Sequence, residues 1–233
     1  MKAKRLTLFA GHYGSGKTNI ALNYARRLRS VGERVTVADL DIVNPYFRTK
    51  DSAAELAAEG IDLVVSDYAN SNVDFPALPK GIYSLVADPH DGAPDPSPRT
   101  CVVMDIGGDD RGALALGRYV PDIRAENDYE MLAVINAARP LTRTPADTLD
   151  VLAEIVAAAN LPFTGIVNNT NLGQETTAAD VLGSLAYAEE VSMRSGLPIR
   201  FTSFAARLAP ELASRVPGPL PLEIQKLYYQ LEG

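Results

Sequence analysis

The sequence predicts an α/β protein in which a mostly parallel central sheet is flanked by helices. Three observations carry that reading. Short apolar, β-branched runs alternate with longer stretches of helical spacing, the pattern of strand-crossover-strand units. The first apolar run ends in a glycine-rich turn that opens a helix, and two later runs end in aspartate. Parallel sheets bind ligands at the carboxyl ends of their strands, so these three ends belong together. With 46% hydrophobic and 22% charged residues, the 233-residue chain falls among ordinary globular proteins and can bury one full core, which predicts a single domain over residues 1–233.

Taken in order, strands are expected at residues 5–11, 34–41, 61–66, 100–105, 131–137, 164–168 and 199–204. Helical spacing is clearest at Ile20, Ala21, Tyr24, Ala25 and Leu28, then at Leu149, Leu152, Ile155 and Val156, then across residues 177–194. Residues 88–100, DPHDGAPDPSPRT, hold four prolines and three aspartates and predict an exposed loop. The run VPGPLPL at 216–222 predicts an irregular lead-in to a last helix at 223–231.

Composition excludes several classes of function. A net charge of −7 with no basic block disfavours nonspecific nucleic-acid binding and attachment to an acidic membrane surface. Cys101 is the only cysteine, which rules out an intrachain disulfide, and His12 and His90 cannot complete a usual His/Cys zinc set. The apolar run near the start is too short for a signal-peptide core, and no stretch approaches the roughly 18 apolar residues of a membrane span. The cytoplasm is the expected location.

Gly11-His12-Tyr13-Gly14-Ser15-Gly16-Lys17-Thr18 fits GxxxxGK[ST], in which backbone N–H groups wrap phosphate, the lysine reaches the outer phosphates and the Thr hydroxyl binds magnesium. The nucleotide site expected from this loop comprises Gly11, Tyr13, Gly14, Ser15, Gly16, Lys17 and Thr18. No acidic residue stands in the first turn of the following helix, which leaves its positive dipole end to an anionic ligand. Carboxylates for magnesium come from Asp39-Leu40-Asp41, at the end of VTVADLD, and from Asp105, at the end of CVVMD. Gly107 and Gly108 follow Asp105, and their small size admits a close approach to phosphate.

The stretch GKTNIALNYARRLRSVGERVTVADLD, with Asn23 and the Asp39-Leu40-Asp41 pair, resembles the ParA/MinD/CobQ-type P-loop ATPases of the SIMIBI class. The resemblance covers residues 5–48 and implies the three-layer P-loop NTPase fold, with ATP and Mg2+ as cofactors. It implies that Lys17 binds the β- and γ-phosphates, that Thr18, Asp39 and Asp105 hold the metal, and that Asp41 orients or deprotonates the attacking water. Gly107 and Gly108 then sense the γ-phosphate. The chain departs from the family where many members carry a second lysine early in the loop, because His12 stands there. Arg48 and Arg111 are the candidates for a compensating cation.

Base choice is read at Asn168-Asn169-Thr170-Asn171. Guanine-specific P-loop proteins often have NKxD in this place, and Asn171 is a poorer acceptor for guanine than an aspartate, which favours ATP. Asn168 is the candidate contact to the adenine edge.

These residues predict a slow Mg-dependent ATPase acting as a nucleotide-controlled switch for a protein partner, with a homodimer as one arrangement the family implies. The alternative is a single-domain ATP-dependent ligase or small-molecule kinase of the CobQ/CobB or dethiobiotin-synthetase kind. A nucleotide-binding module without turnover is disfavoured by the three aspartates. An iron-sulfur carrier is disfavoured by a lone cysteine inside an apolar run.

Overall fold

The computed structural model describes residues 3–40, 53–65, 80–86, 100–108 and 110–223. Among these residues eight strands form one sheet: β1 (Leu6–Ala10), β2 (Arg34–Leu40), β3 (Asp62–Val65), β4 (Thr100–Ile106), β5 (Tyr129–Ile135), β6 (Gly165–Asn168), β7 (Ile199–Ala205) and β8 (Pro219–Leu222). Their order is β3-β2-β4-β1-β5-β6-β7-β8, and every pairing is parallel. The described helices are α1 (Lys17–Ser30), α2 (Ala53–Ala58), α3 (Lys80–Val86), α4 (Asp110–Gly117), α5 (Val120–Glu126), α6 (Pro145–Ala159), α7 (Ala178–Gly183), α8 (Leu185–Ser195) and α9 (Ala209–Leu212).

Strand alternation explains the layers. Phe9 on β1, Val35 and Val37 on β2, and Cys101 and Val103 on β4 pack beneath Ile20, Tyr24, Ala25 and Leu28 of α1 and Leu56 of α2. Their neighbours, Leu6, Leu8 and Ala10 on β1 with Val102, Met104 and Ile106 on β4, face the other way, toward Leu116, Ile123, Leu152 and Val191. Both faces are therefore covered, as the near-continuous apolar runs require. Cys101 is buried in the α1 layer, so it does not present a thiol for bridging a cluster. Beneath α1 the Tyr24 hydroxyl donates to Glu130 at 3.3 Å, and burial, with the Glu130 charge beside it, pushes its pKa up to about 12.

Three expectations are corrected. Residues 177–194 form two helices, not one, because the chain turns at Ser184 between α7 and α8; Thr177 caps α7 in a reciprocal box with Asp180. The segment 216–222 contains an eighth strand. Pro219 and Pro221 are two residues apart, so both missing N–H groups lie on one side of β8, and among the described residues the strand pairs with β7 alone, at the sheet's edge. The strand expected at 131–137 begins earlier and ends at Ile135. The expected helix at 223–231, together with Asp41, Arg48 and the loop at 88–99, lies outside the described residues.

Between β1 and β4 the chain leaves in opposite directions, toward β2 after β1 and toward β5 after β4. This divergence opens a crevice at the carboxyl ends of the two strands, and the candidate site sits there.

Candidate functional site

The loop from Gly11 to Gly16 joins β1 directly to α1. Gly16 has φ +91°, and a Cβ there would collide with the Asn169 side-chain amide, so backbone conformation and space both demand glycine. α1 begins with no side-chain cap and no acid in its first turn, which leaves N–H groups and the dipole end unclaimed by side chains. The buried Ser15 Oγ has no hydrogen-bond partner among the described residues. Within the loop, Ser15 N–H donates to the His12 carbonyl at 3.1 Å, and the buried Lys17 ammonium donates to the same oxygen at 3.3 Å.

Asp105 and Asp39 end neighbouring strands as Cα partners in register, and both are buried. They follow Val103 and Val37 on the α1 side of the sheet, one alternation further along each strand. The Thr18 hydroxyl donates to Asp105 Oδ2 at 2.6 Å. Helix start and strand end are thereby tied where the sequence places a metal. The donor set is a hydroxyl and two carboxylates, all hard oxygens, which suits magnesium rather than zinc or a softer metal. Among the described residues no group of three His, Cys, Asp or Glu side chains forms a metal cluster of its own.

Gly108 closes the site from the other side. A Cβ on Gly108 would stand 2.8 Å from Lys17 Nζ and 2.8 Å from the Tyr13 nitrogen. The segment after Asp105 therefore lies directly against the phosphate-binding loop, and only glycine fits. Gly107 is buried beside it. The Tyr13 side chain, by contrast, is 59% exposed, and it is the Tyr13 backbone that Gly108 lies against.

Asn168 and Asn169 divide the work at the end of β6. Asn168 is fully buried, with its amide donating to Ser184 Oγ at 2.9 Å and its carbonyl oxygen accepting from Thr170 Oγ1 at 2.9 Å. Those bonds commit it to the turn and to the junction of α7 and α8. Asn169 instead donates to the Ser15 carbonyl at 2.6 Å and accepts from Ser203 Oγ, at the end of β7, at 2.7 Å. Because the peptide is planar and trans, holding the Ser15 carbonyl turns the Gly16 N–H to the opposite side. Arg139, beyond β5, does the same one residue earlier, donating from Nε to the Gly14 carbonyl at 2.9 Å. Sequence reasoning missed both residues; the doubled asparagine was the only local signal.

Asn169→Ala is expected to weaken nucleotide binding about tenfold and to cost about 1–3 kcal/mol of stability, since it leaves the Ser15 carbonyl and Ser203 hydroxyl without their partner. Asn168→Ala would cost comparable stability and leave the affinity of the surviving folded protein within about threefold. Urea denaturation and nucleotide titration of the two variants measure both effects.

No protein-family model matches the chain, and no curated protein matches it. Solved structures do. The chain is similar to chloroplast FtsY from Physcomitrella patens, with a TM-score of 0.55 and 16% identity over 87% of this chain and 59% of that one. FtsY from Thermotoga maritima gives 0.52 and 18% over 88% and 63%. The signal recognition particle 54 kDa protein from Aeropyrum pernix K1, in complex with GDP, gives 0.52 and 20% over 86% and 41%. The fold is that of a P-loop NTPase. At these identities the likeness shows the fold, and the chain spans less than two thirds of each of these proteins. No described helix is long and apolar enough to cross a membrane.

Proposed function

We propose that the chain, acting as a single nucleotide-binding domain, binds a magnesium-bound nucleoside triphosphate on Gly11–Thr18, hydrolyses it slowly, and uses the two nucleotide states to engage and release a protein partner. The observation that carries this reading is the convergence on one crevice of the uncapped start of α1, the Lys17 ammonium, the Thr18–Asp105 bond and the Gly108 backbone. The loop N–H groups bind the phosphates and Lys17 neutralises their charge. Thr18, Asp105 and Asp39 hold the metal through oxygen. When bound, Mg2+ supplies positive charge against the phosphoryl oxygens. Asp41 is proposed to orient the attacking water. Gly107 and Gly108 link the crevice to α4, so a change at the γ-phosphate position is delivered to that helix.

Two observations bear on the base. The Aeropyrum pernix neighbour holds GDP, which favours GTP by analogy of fold. Asn171 favours ATP: its amide donates to the Asn169 carbonyl at 2.7 Å, its oxygen accepts from Gly173 N–H at 3.2 Å, and residues 168–174 present no carboxylate to the guanine N1–H and amine. Competition of ATP and GTP against one fluorescent nucleotide, with magnesium, decides between them. Binding of neither would overturn the proposal. Turnover that rises with a captured protein supports the switch, whereas turnover that requires a metabolite would establish the ligase or kinase alternative.

A further inference from the structure

At the end of the sheet opposite the phosphate loop, a cavity of about 520 Å³ opens where β2, β3 and β4 begin, at Arg34, Asp62 and Thr100. Its size is that of a small-molecule site. Leu85 of α3 forms one wall, and Arg5 fixes that wall, donating to the Leu85 carbonyl at 2.8 Å and the Val86 carbonyl at 3.0 Å. Arg5 is itself neutralised by Glu126.

The other two guanidinium groups, of Arg29 and Arg34, form no ion pair among the described residues. Arg29, in the last turn of α1, donates to the backbone carbonyls of Glu59 and Glu33, at 3.3 and 3.5 Å, and forms no ion pair among the described residues. Arg34 forms neither a hydrogen bond nor an ion pair among them. Asp62 is the one carboxylate among the described lining residues, and it too is without a partner among the described residues. Among the described lining residues, two guanidinium groups that form no ion pair there stand with one carboxylate, a local excess of positive charge in a chain of net charge −7.

We propose that this cavity is a second anion site, separate from the phosphate loop, for a small hydroxylated organic dianion. Arg29 and Arg34 grip its phosphate or carboxylate oxygens through forked N–H donors, and Asp62 accepts a hydrogen bond from its hydroxyl. Asp62 selects against sulfate, which has no proton to donate to the carboxylate at neutral pH. The site depends on no assumption about the nucleotide, because it shares no residue with the crevice.

The test is a titration of the ¹⁵N-labelled full chain with glycerol 3-phosphate and with malate, followed by amide NMR. Saturable shifts at Gly60, Asp62 and Thr100, with a dissociation constant below about 1 mM for at least one probe, are the expected result. Lys17→Ala should leave them unchanged, which separates this site from the phosphate loop. The double substitution Arg29→Ala with Arg34→Ala should weaken them at least about tenfold while nucleotide binding stays as it was. Arg34→Glu, at an exposed strand-start position, gives the same readout should the double variant fail to fold. Absence of saturable shifts at these three amides, shifts confined to the phosphate loop, or affinity that survives the arginine substitutions would each overturn the proposal.

Discussion

Lys17→Ala is expected to weaken nucleoside triphosphate binding by roughly 30-fold to 5,000-fold, the consequence of losing about 2–5 kcal/mol from a buried charge-assisted contact. The size follows from where the ammonium sits. Lys17 is only 6% exposed, its Nζ rests against the His12 carbonyl, and Gly108 presses on it from the facing segment. A phosphate entering there meets a cation already stripped of most of its water, so the interaction is screened far less than at the surface. Lys17→Arg should not rescue binding, because the larger fork has no room beside Gly108 and Tyr13. Titration of a fluorescent nucleotide, with and without magnesium, measures the loss. An affinity within threefold of the unsubstituted chain would remove the nucleotide reading.

Where the candidate site is local in the chain, it was legible from the sequence. The eight residues from Gly11 to Thr18 are contiguous, and the conformation they need is written in three glycines. Asp39 and Asp105 were legible because each ends a buried run, and the register confirms that they are neighbours. The supports of the loop were not legible. Asn169 reaches Ser15 across 154 positions of sequence, and Arg139 reaches Gly14 across 125. Asn168 and Asn169 face opposite ways, because one residue along a strand reverses the face. Asn168, the last residue of β6, turns to Ser184, while Asn169, just past it, turns to the loop. The eighth strand was hidden by its prolines, which argue against a central strand and are tolerated only at the edge where β8 lies. The break at Ser184 was hidden because apolar spacing continues in both flanking helices.

Asp105→Asn is expected to cut triphosphate turnover about 100-fold while the melting temperature of the nucleotide-free protein does not fall. The two halves of this prediction share one cause. Asp105 and Asp39 stand opposite each other on adjacent parallel strands, both buried, and asparagine matches aspartate in size, so the substitution opens no cavity there. An asparagine oxygen can still accept the Thr18 hydroxyl bond, so the tie between α1 and β4 survives while one negative charge is removed. The same loss of charge weakens the grip on a divalent ion, so the magnesium concentration needed for half-maximal turnover should rise, and nucleotide affinity measured without magnesium should change by less than about threefold. A melting curve, a magnesium titration of turnover and a metal-free binding curve on this single variant therefore separate a carboxylate that serves the metal from one that serves the fold. A variant that melts several degrees lower with its magnesium dependence unchanged would assign Asp105 to the fold.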